Sequence, residues 1–429
     1  QALVEAGIIK PVLNTFIRDQ LLQQQFTEGK STAVKGVERV LPGETLRVVN
    51  GAITERQQLS ALPSEGPADW DEEEALKLLD EVLMGSVTIH QRSDVPYGLF
   101  LSGGIDSSTI LACMRELNDR PVEAFTAGFS GTDVADERVH AQKVANAAGA
   151  NFHSIDFNEE DFWKLLPEIV ACLDDPTSDY AVLPTYKLGA LARDQGLKVV
   201  LCGEGGDELF GGYGRYRRLL RPWWLGGRPM RKKGLFDGSG ILRVERTGQA
   251  EEVSSAWSKN WTRLQKAQAT DCENWLPNDL LIKLDRCLMS HGVEGRTPFL
   301  DREVANLAMR LPDALKIRDG RGKYILRRWL ERKLPEAKAL SPKRGFTVPV
   351  ADWISGKARL AGELVAAQPC IKEIADSSKV RALFSSLDGN PARNPGQMAW
   401  QLLFFALWHR IHIECRSYAG DVFENLLDK

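Results

Sequence analysis

Two short stretches concentrate the side chains that could do chemistry. The first is Phe100-Leu101-Ser102-Gly103-Gly104-Ile105-Asp106-Ser107-Ser108. An apolar run from Val95 to Leu101 leads into it, and a helical pattern from Ser107 to Leu117 follows. That order predicts a strand, a glycine turn and a helix N-terminus. Such a turn points unpaired N–H groups outward, beside the positive end of a helix dipole, which suits an anion such as phosphate. Gly103 and Gly104 let the backbone bend and let an anion come close. The hydroxyls of Ser102, Ser107 and Ser108 add donors. No lysine stands where a G-x-x-x-x-G-K-[ST] loop requires one. Asp106 would repel a phosphate unless a cation lay between them, which implicates magnesium. The structural alternative is a glycine turn with a capping serine.

The second stretch is Leu201-Cys202-Gly203-Glu204-Gly205-Gly206-Asp207-Glu208-Leu209-Phe210-Gly211-Gly212-Tyr213, which ends an expected strand from Lys198 to Leu201. Five glycines and three acids in thirteen residues suit neither helix nor strand. One reading is a flexible, solvated acidic loop. The other places two strand-end loops side by side, with Asp106 and Asp207 as magnesium ligands facing one phosphate chain.

The elements that must position these loops follow an alternating pattern. Strands are expected at 98–101, 122–129, 151–156 and 198–201, with helices at 107–117, 137–148, 159–173 and 183–193. This alternation predicts an α/β fold with a parallel sheet covered on both faces, whose ligands bind at the carboxyl ends of the strands. A helix opening near Asp69 carries Asp71, Glu72, Glu73 and Glu74 in its first turn, where the dipole favours acids. Residues 1–60 read as a small appendage with a helix near Phe16–Phe26 and a hairpin around Asn50-Gly51, packed on the following domain or on something outside the chain. Residues 61–429 form the main domain. After Pro277 the pattern is helical, with Gly292 to Asp301 as a structured turn and Val350–Ile354 as another turn.

Composition narrows the class. The 429 residues carry a net charge of -3, 43% hydrophobic and 26% charged residues. That balance gives no reason to propose nucleic acid or an anionic membrane as partner. The seven cysteines are scattered and none forms C-x-x-C, so a reducing, cytoplasmic setting is expected rather than a disulfide framework or zinc site. The apolar cluster from Met398 to Trp408 is too short to span a bilayer and reads as a buried helix. A basic run from Arg215 to Lys233 is read as a solvated loop, in preference to a patch for RNA or polyphosphate. His409 and His412 are read as packing or surface groups.

The Ser102–Ser108 loop resembles the pyrophosphate loop of the N-type ATP pyrophosphatases. Gly203-Glu-Gly-Gly-Asp-Glu-Leu-Phe-Gly-Gly-Tyr213 is similar to the second signature of the asparagine synthetase B family, which includes β-lactam-forming synthetases. Leu284-Asp285-Arg286 through Glu294-Gly-Arg-Thr-Pro-Phe-Leu-Asp301, Lys323-Tyr-Ile-Leu-Arg327 and Lys343-Arg-Gly-Phe346 agree in the same order. The resemblance covers about residues 70–429. It implies a parallel-sheet ATP pyrophosphatase core with a helical C-terminal part and a small N-terminal hairpin appendage. It implies activation of a carboxylate by ATP, with an acyl-adenylate displaced by ammonia or an amine. Leu101, Ala127, Cys202 and Gly203 would read adenine. Glu204 matches the catalytic glutamate, with a turn residue as the structural alternative. Lys343 matches the lysine that stabilises the adenylate. Lys323 is a phosphate-contact candidate, with a surface lysine at a helix start as its alternative. Asp136-Glu137 matches a family position of unassigned role.

Two departures shape the expectation. Residue 1 is Gln and no cysteine precedes Cys113, so residues 1–60 resemble only the tail of a glutaminase domain. Glutamine hydrolysis is not assigned, and ammonia arrives free or from a missing or separate glutaminase domain. The segment from Asp174 to Thr185 lacks an arginine that asparagine synthetases carry there, so aspartate is the expected carboxylate without being fixed. A lactam- or other amide-forming synthetase and a non-catalytic ATP-binding scaffold stay as alternatives, and self-assembly stays open.

Overall fold

The computed structural model describes residues 1–132, 137–230, 233–243, 259–341 and 347–427. Near the N-terminus, β1 (Glu44–Val49) and β2 (Ala52–Gln58) pair antiparallel. Asn50 and Gly51 both take positive φ at their junction, which is the twist that suits a two-residue hairpin. The central sheet contains β3 (Tyr97–Phe100), β4 (Glu123–Gly128), β5 (Asn151–Asp156), β6 (Val199–Leu201) and β7 (Glu294–Arg296). Their order is β5-β4-β3-β6-β7, and every pairing is parallel. The chain adds strands to one side of β3 and then crosses to the other. The strand-end loops of β3 and β6 therefore meet at the point where the order reverses, where open α/β sheets bind ligands.

The sheet is buried on both faces, as its apolar strands require. Val199 and Leu201 of β6 join one core with Leu99, Leu101 and the helices Glu72–His90, Ile105–Leu117 and Tyr324–Lys333. Val200 and Cys202 point the other way and pack with Phe125, Ala192, Leu284 and Leu288. Helix Arg393–His412 is the centre of a separate helical layer. Trp400, Phe404, Phe405 and Trp408 are all fully buried there. From Ala399 to Trp408 apolar residues surround this helix, and protein covers that stretch on all sides. Ile17, Leu21 and Leu22 of helix Thr15–Gln24 enter the same layer, whereas the β1–β2 hairpin is largely exposed. No helix of the described residues is long and apolar enough to cross a membrane.

Three elements differ from their sequence-based expectation. Within the expected turn at 292–301, Glu294–Arg296 forms the edge strand β7, and the Cys202 N–H donates to the Arg296 carbonyl at 2.8 Å. Glu-Gly-Arg has no apolar alternation, so only the tertiary partner makes it a strand. The sequence pattern predicts a helix that begins only after Pro277. Pro277 instead lies inside a π-helical run, Asp271–Leu281, which continues into helix Ile282–Met289. The wider i→i+5 spacing leaves room for a residue without an N–H. The expected turn at 350–354 is helix Val350–Gly356. The basic 215–233 run is also only partly a solvated loop. Arg215 lies in helix Gly214–Leu220, pairs with Asp271 at 2.8 Å and stacks on the Tyr213 ring.

Gly98 sits where β3 meets β4. A Cβ there would stand 2.7 Å from the Glu123 carbonyl oxygen and 2.8 Å from Leu197 Cδ1. The first neighbour is sheet backbone and cannot yield without disturbing the ladder. Gly98→Ala is expected to cost about 1–3 kcal/mol, read from urea unfolding. An unchanged midpoint would count against this packing.

Candidate active site

The β3 loop is knitted by its own hydroxyls. The Ser102 N–H donates to Ser107 Oγ at 3.2 Å, and the Gly104 N–H donates to Ser102 Oγ at 3.2 Å. Gly103 has φ of 72°, a left-handed turn that favours glycine. Helix Ile105–Leu117 starts at Gly104 with no side-chain cap, so its first-turn amides are not consumed by a capping group. Ser108 is fully buried, and its Oγ has no hydrogen-bond partner among the described residues. The Leu101, Ala127 and Cys202 side chains are buried at the ends of β3, β4 and β6, and Gly203 is half-buried beside them.

The two acidic loops are joined by one cation. Lys323 Nζ contacts Asp106 Oδ2 and lies 2.8 Å from Asp207 Oδ1. The lysine side chain is 3% exposed, so it is not a surface residue at a helix start. It precedes helix Tyr324–Lys333 in a left-handed conformation, and its N–H donates to the Phe210 carbonyl at 3.0 Å. Burial acts to lower the Lys323 pKa, but the Asp106 and Asp207 carboxylates outweigh it and the net direction is up. The glycines of the second loop are spatially required. A Cβ at Gly203 would stand 2.9 Å from Asp106 Cβ, and one at Gly212 would run into the Asp207 carboxylate and Lys323 Cε. The loop is therefore a packed support for charge, not a flexible acidic tether.

Both carboxylates contact the Lys323 ammonium, and their oxygens are hard donors of the kind magnesium takes. Among the described residues no group of three His, Cys, Asp or Glu side chains forms a metal cage. The donor set fits a cation completed by phosphate and water oxygens.

Glu204 lies in the β6 loop, half-buried. Burial raises its pKa, Lys283 opposes that shift, and Asp106 and Asp179 add to it. It therefore feels both the charge of Asp106 and that of a second cluster. In that cluster Lys283 Nζ lies 2.8 Å from Asp179 Oδ2, and Thr177 Oγ1 donates to Asp279 Oδ1. Asp279 is fully buried, and burial followed by the Asp179 charge raises its pKa. Sequence reasoning did not single out Thr177, Asp179, Asp279 or Lys283 as site residues. They lie in or near the 174–185 and 284–301 stretches, but their pairings span about a hundred residues and leave no local spacing to read. The Asp285 and Arg286 of that second motif are exposed instead.

Arg327 links the site to its surroundings. Its Nε donates to the Gly322 carbonyl at 2.8 Å and its Nη1 to the Ser341 carbonyl at 3.0 Å. Lys343 and Asp136 lie outside the described residues.

Fold and site define a parallel-sheet α/β domain of the ATP pyrophosphatase class. The Asparagine synthase family profile matches residues 78–410, and the chain belongs to that family. It is 30% identical to asparagine synthetase [glutamine-hydrolyzing] 1 of Bacillus subtilis over 92% of the chain and 69% of that protein. It is 35% identical to a putative asparagine synthetase [glutamine-hydrolyzing] of Mycobacterium tuberculosis over 78% of the chain and 57% of that protein. It is also 25% identical to an amidase, chyE, of Penicillium rubens, over 78% of the chain and 62% of that protein.

Removing the bridging ammonium leaves two facing carboxylates. Lys323→Met is expected to destabilise the fold by about 3 kcal/mol in chelator-treated buffer, measured by urea unfolding. Wild-type stability would contradict the bridge. Glu208 is buried behind it, where the Tyr213 hydroxyl donates to Oε1 at 2.6 Å. Burial, then the Asp207 charge, pushes the Glu208 carboxyl from its ordinary 4.5 up to about 7. Between those values the folded protein holds a proton that the unfolded chain has released. This group's stabilisation is complete below the lower value and is lost as pH rises through the upper one. Glu208→Gln should flatten the fall in stability across that window by up to about 1.4 kcal/mol per pH unit. A variant whose stability parallels wild type at every pH would contradict the assignment.

Proposed function

We propose that this chain is an ATP-dependent amide ligase that activates a carboxylate, with the aspartate side chain the preferred candidate, and transfers ammonia to it. The observation that carries the reading is the position of Glu204. It follows Gly203, where a Cβ would stand 2.9 Å from Asp106 Cβ, and the charges of Asp106, Asp179 and Lys283 all act on its carboxyl. In this reading the phosphate-activating side and the polar Asp179–Lys283 side both act on one carboxylate.

In this reading the first-turn amides of helix Ile105–Leu117 and the Ser102 hydroxyl bind the β- and γ-phosphates. The strand ends at Leu101, Ala127, Cys202 and Gly203 take the adenine. Asp106 and Asp207 would hold magnesium, which supplies charge neutralisation for the phosphates. Lys323 holds those carboxylates in register and would meet the departing pyrophosphate. A carboxylate oxygen attacks the α-phosphorus and pyrophosphate leaves. The ammonia nitrogen then attacks the acyl carbon and AMP leaves with that oxygen. Glu204 takes the proton lost by nitrogen. Its raised pKa favours that step, because a general base works best near the operating pH. Lys343 is assigned to the adenylate by family resemblance. The printed names of the relatives include glutamine hydrolysis, and the source of ammonia for this chain is left to experiment.

Carboxylate-dependent ATP–pyrophosphate exchange tests the reading. Aspartate should support exchange. Glu204→Gln should keep nucleotide binding while amide formation falls by about 10²–10⁴-fold. Exchange with other carboxylates but not aspartate would favour a different amide-forming synthetase. Nucleotide binding without exchange on any carboxylate would favour the ATP-binding scaffold. Full product formation by Glu204→Gln would remove its assigned role.

A further inference from the structure

Residues 174–179 are held from three directions. The Ser178 N–H donates to the Gln25 carbonyl at 2.8 Å, at the end of helix Thr15–Gln24. Its hydroxyl donates to Gln401 Oε1 at 2.6 Å, and its carbonyl accepts from Trp400 Nε1 at 2.6 Å. Gln401 in turn donates to the Leu21 carbonyl at 2.8 Å. Helix Arg393–His412 and the N-terminal helix therefore grip the same residue.

The tightest hold is on Asp175. Arg39 Nε meets Asp175 Oδ2 at 2.5 Å and Arg39 Nη2 meets Oδ1 at 2.5 Å, a two-pronged ion pair. Arg39 Nη1 donates to the carbonyls of Gly29 and Ser31, each at 2.9 Å, and Nη2 also contacts Thr27 Oγ1. The two side chains are 12% and 18% exposed. A guanidinium spread over five acceptors has little freedom, and a lysine could not reproduce the fork. Four residues beyond Asp175, Asp179 holds Lys283 with one oxygen, while the other accepts from the Ala181 N–H at 3.0 Å, at the start of helix Val182–Asp194. Lys283 is the positive charge that acts on Glu204. Ion pairs at either end of the 175–179 segment thus link Arg39, outside the matched residues 78–410, with Lys283, whose charge acts on Glu204.

We propose that Arg39 is a positioning residue for the carboxylate-binding side of the site. By gripping Asp175 it fixes the 174–179 segment, and through it the Asp179–Lys283 pair. The segment that leads into the β1–β2 hairpin thus sets carboxylate affinity without touching substrate. The kinetic part of this inference rests on the amide-ligase reading, and the structural part does not.

The full chain, with Arg39→Ala, Arg39→Lys and the exchanged pair Arg39→Asp/Asp175→Arg, provides the test. Amide hydrogen exchange needs no substrate. Arg39→Ala should speed exchange within 174–182 by about tenfold or more, with 103–108 and 204–212 unchanged. In carboxylate-dependent ATP–pyrophosphate exchange, the carboxylate KM should rise by about tenfold while the ATP KM stays within about twofold. Arg39→Lys should move the same way by less, and the exchanged pair should recover part of the loss. Should Arg39→Ala fail to fold, Arg39→Lys carries both measurements. Unchanged exchange in 174–182, or uniform acceleration across the chain, overturns the proposal, as does an equal rise of both KM values. If the wild-type chain shows no carboxylate-dependent activity, the ligase reading fails, and hydrogen exchange still decides the role of Arg39.

Discussion

The bridge from Lys323 to Asp106 and Asp207 is the interaction on which the site depends. Each carboxylate ends a separate strand-end loop, and the lysine comes from a third element more than a hundred residues further along the chain. Without the cation, the two acids would repel each other across a partly desolvated gap. With it, the loops after β3 and β6 acquire a fixed spacing. The glycines follow from that spacing, because Gly203 and Gly212 lie where a Cβ would displace Asp106, Asp207 or Lys323. The sheet contributes by making β3 and β6 neighbours, so the charge cluster sits at the reversal of strand order.

A second charge cluster also acts on Glu204. Its Lys283–Asp179 pair depends on a segment held by the N-terminal residues and by helix Arg393–His412. The two clusters are built differently. The Asp106–Asp207 cluster is assembled at strand ends of the sheet, and the other from long-range contacts among helices and loops. A perturbation of the N-terminal piece should therefore reach one cluster and spare the other.

Much of the sheet was legible because strands buried on both faces leave apolar runs, and the helices between them carry periodic patterns. Strand β5 at Asn151–Asp156 coincides with its expected limits, and β3, β4 and β6 fall within a residue or two of theirs. Strand β7 was not legible, since Glu-Gly-Arg becomes a strand only by lying against β6. The π-helix was hidden by Pro277, which sequence rules read as a stop. For the site, glycine and acid spacing marked both loops. It did not show that Lys323 is buried between them, because a lysine before a helix looks the same whether it faces water or two carboxylates. Lys283 and Asp179 were missed for a similar reason. Their meaning comes from a pairing across about a hundred residues, which no local spacing records.

The central claim is that the two loops, locked by Lys323, form an anion site for the phosphates of ATP. Calorimetric titration of the chain with inorganic pyrophosphate, with and without magnesium, tests it most directly when paired with hydrogen exchange of the saturated complex. The account predicts magnesium-dependent binding, with slowed exchange confined to the amides of 102–108 and 203–207. Absence of pyrophosphate binding in magnesium, or protection elsewhere that leaves both loops unchanged, would contradict it.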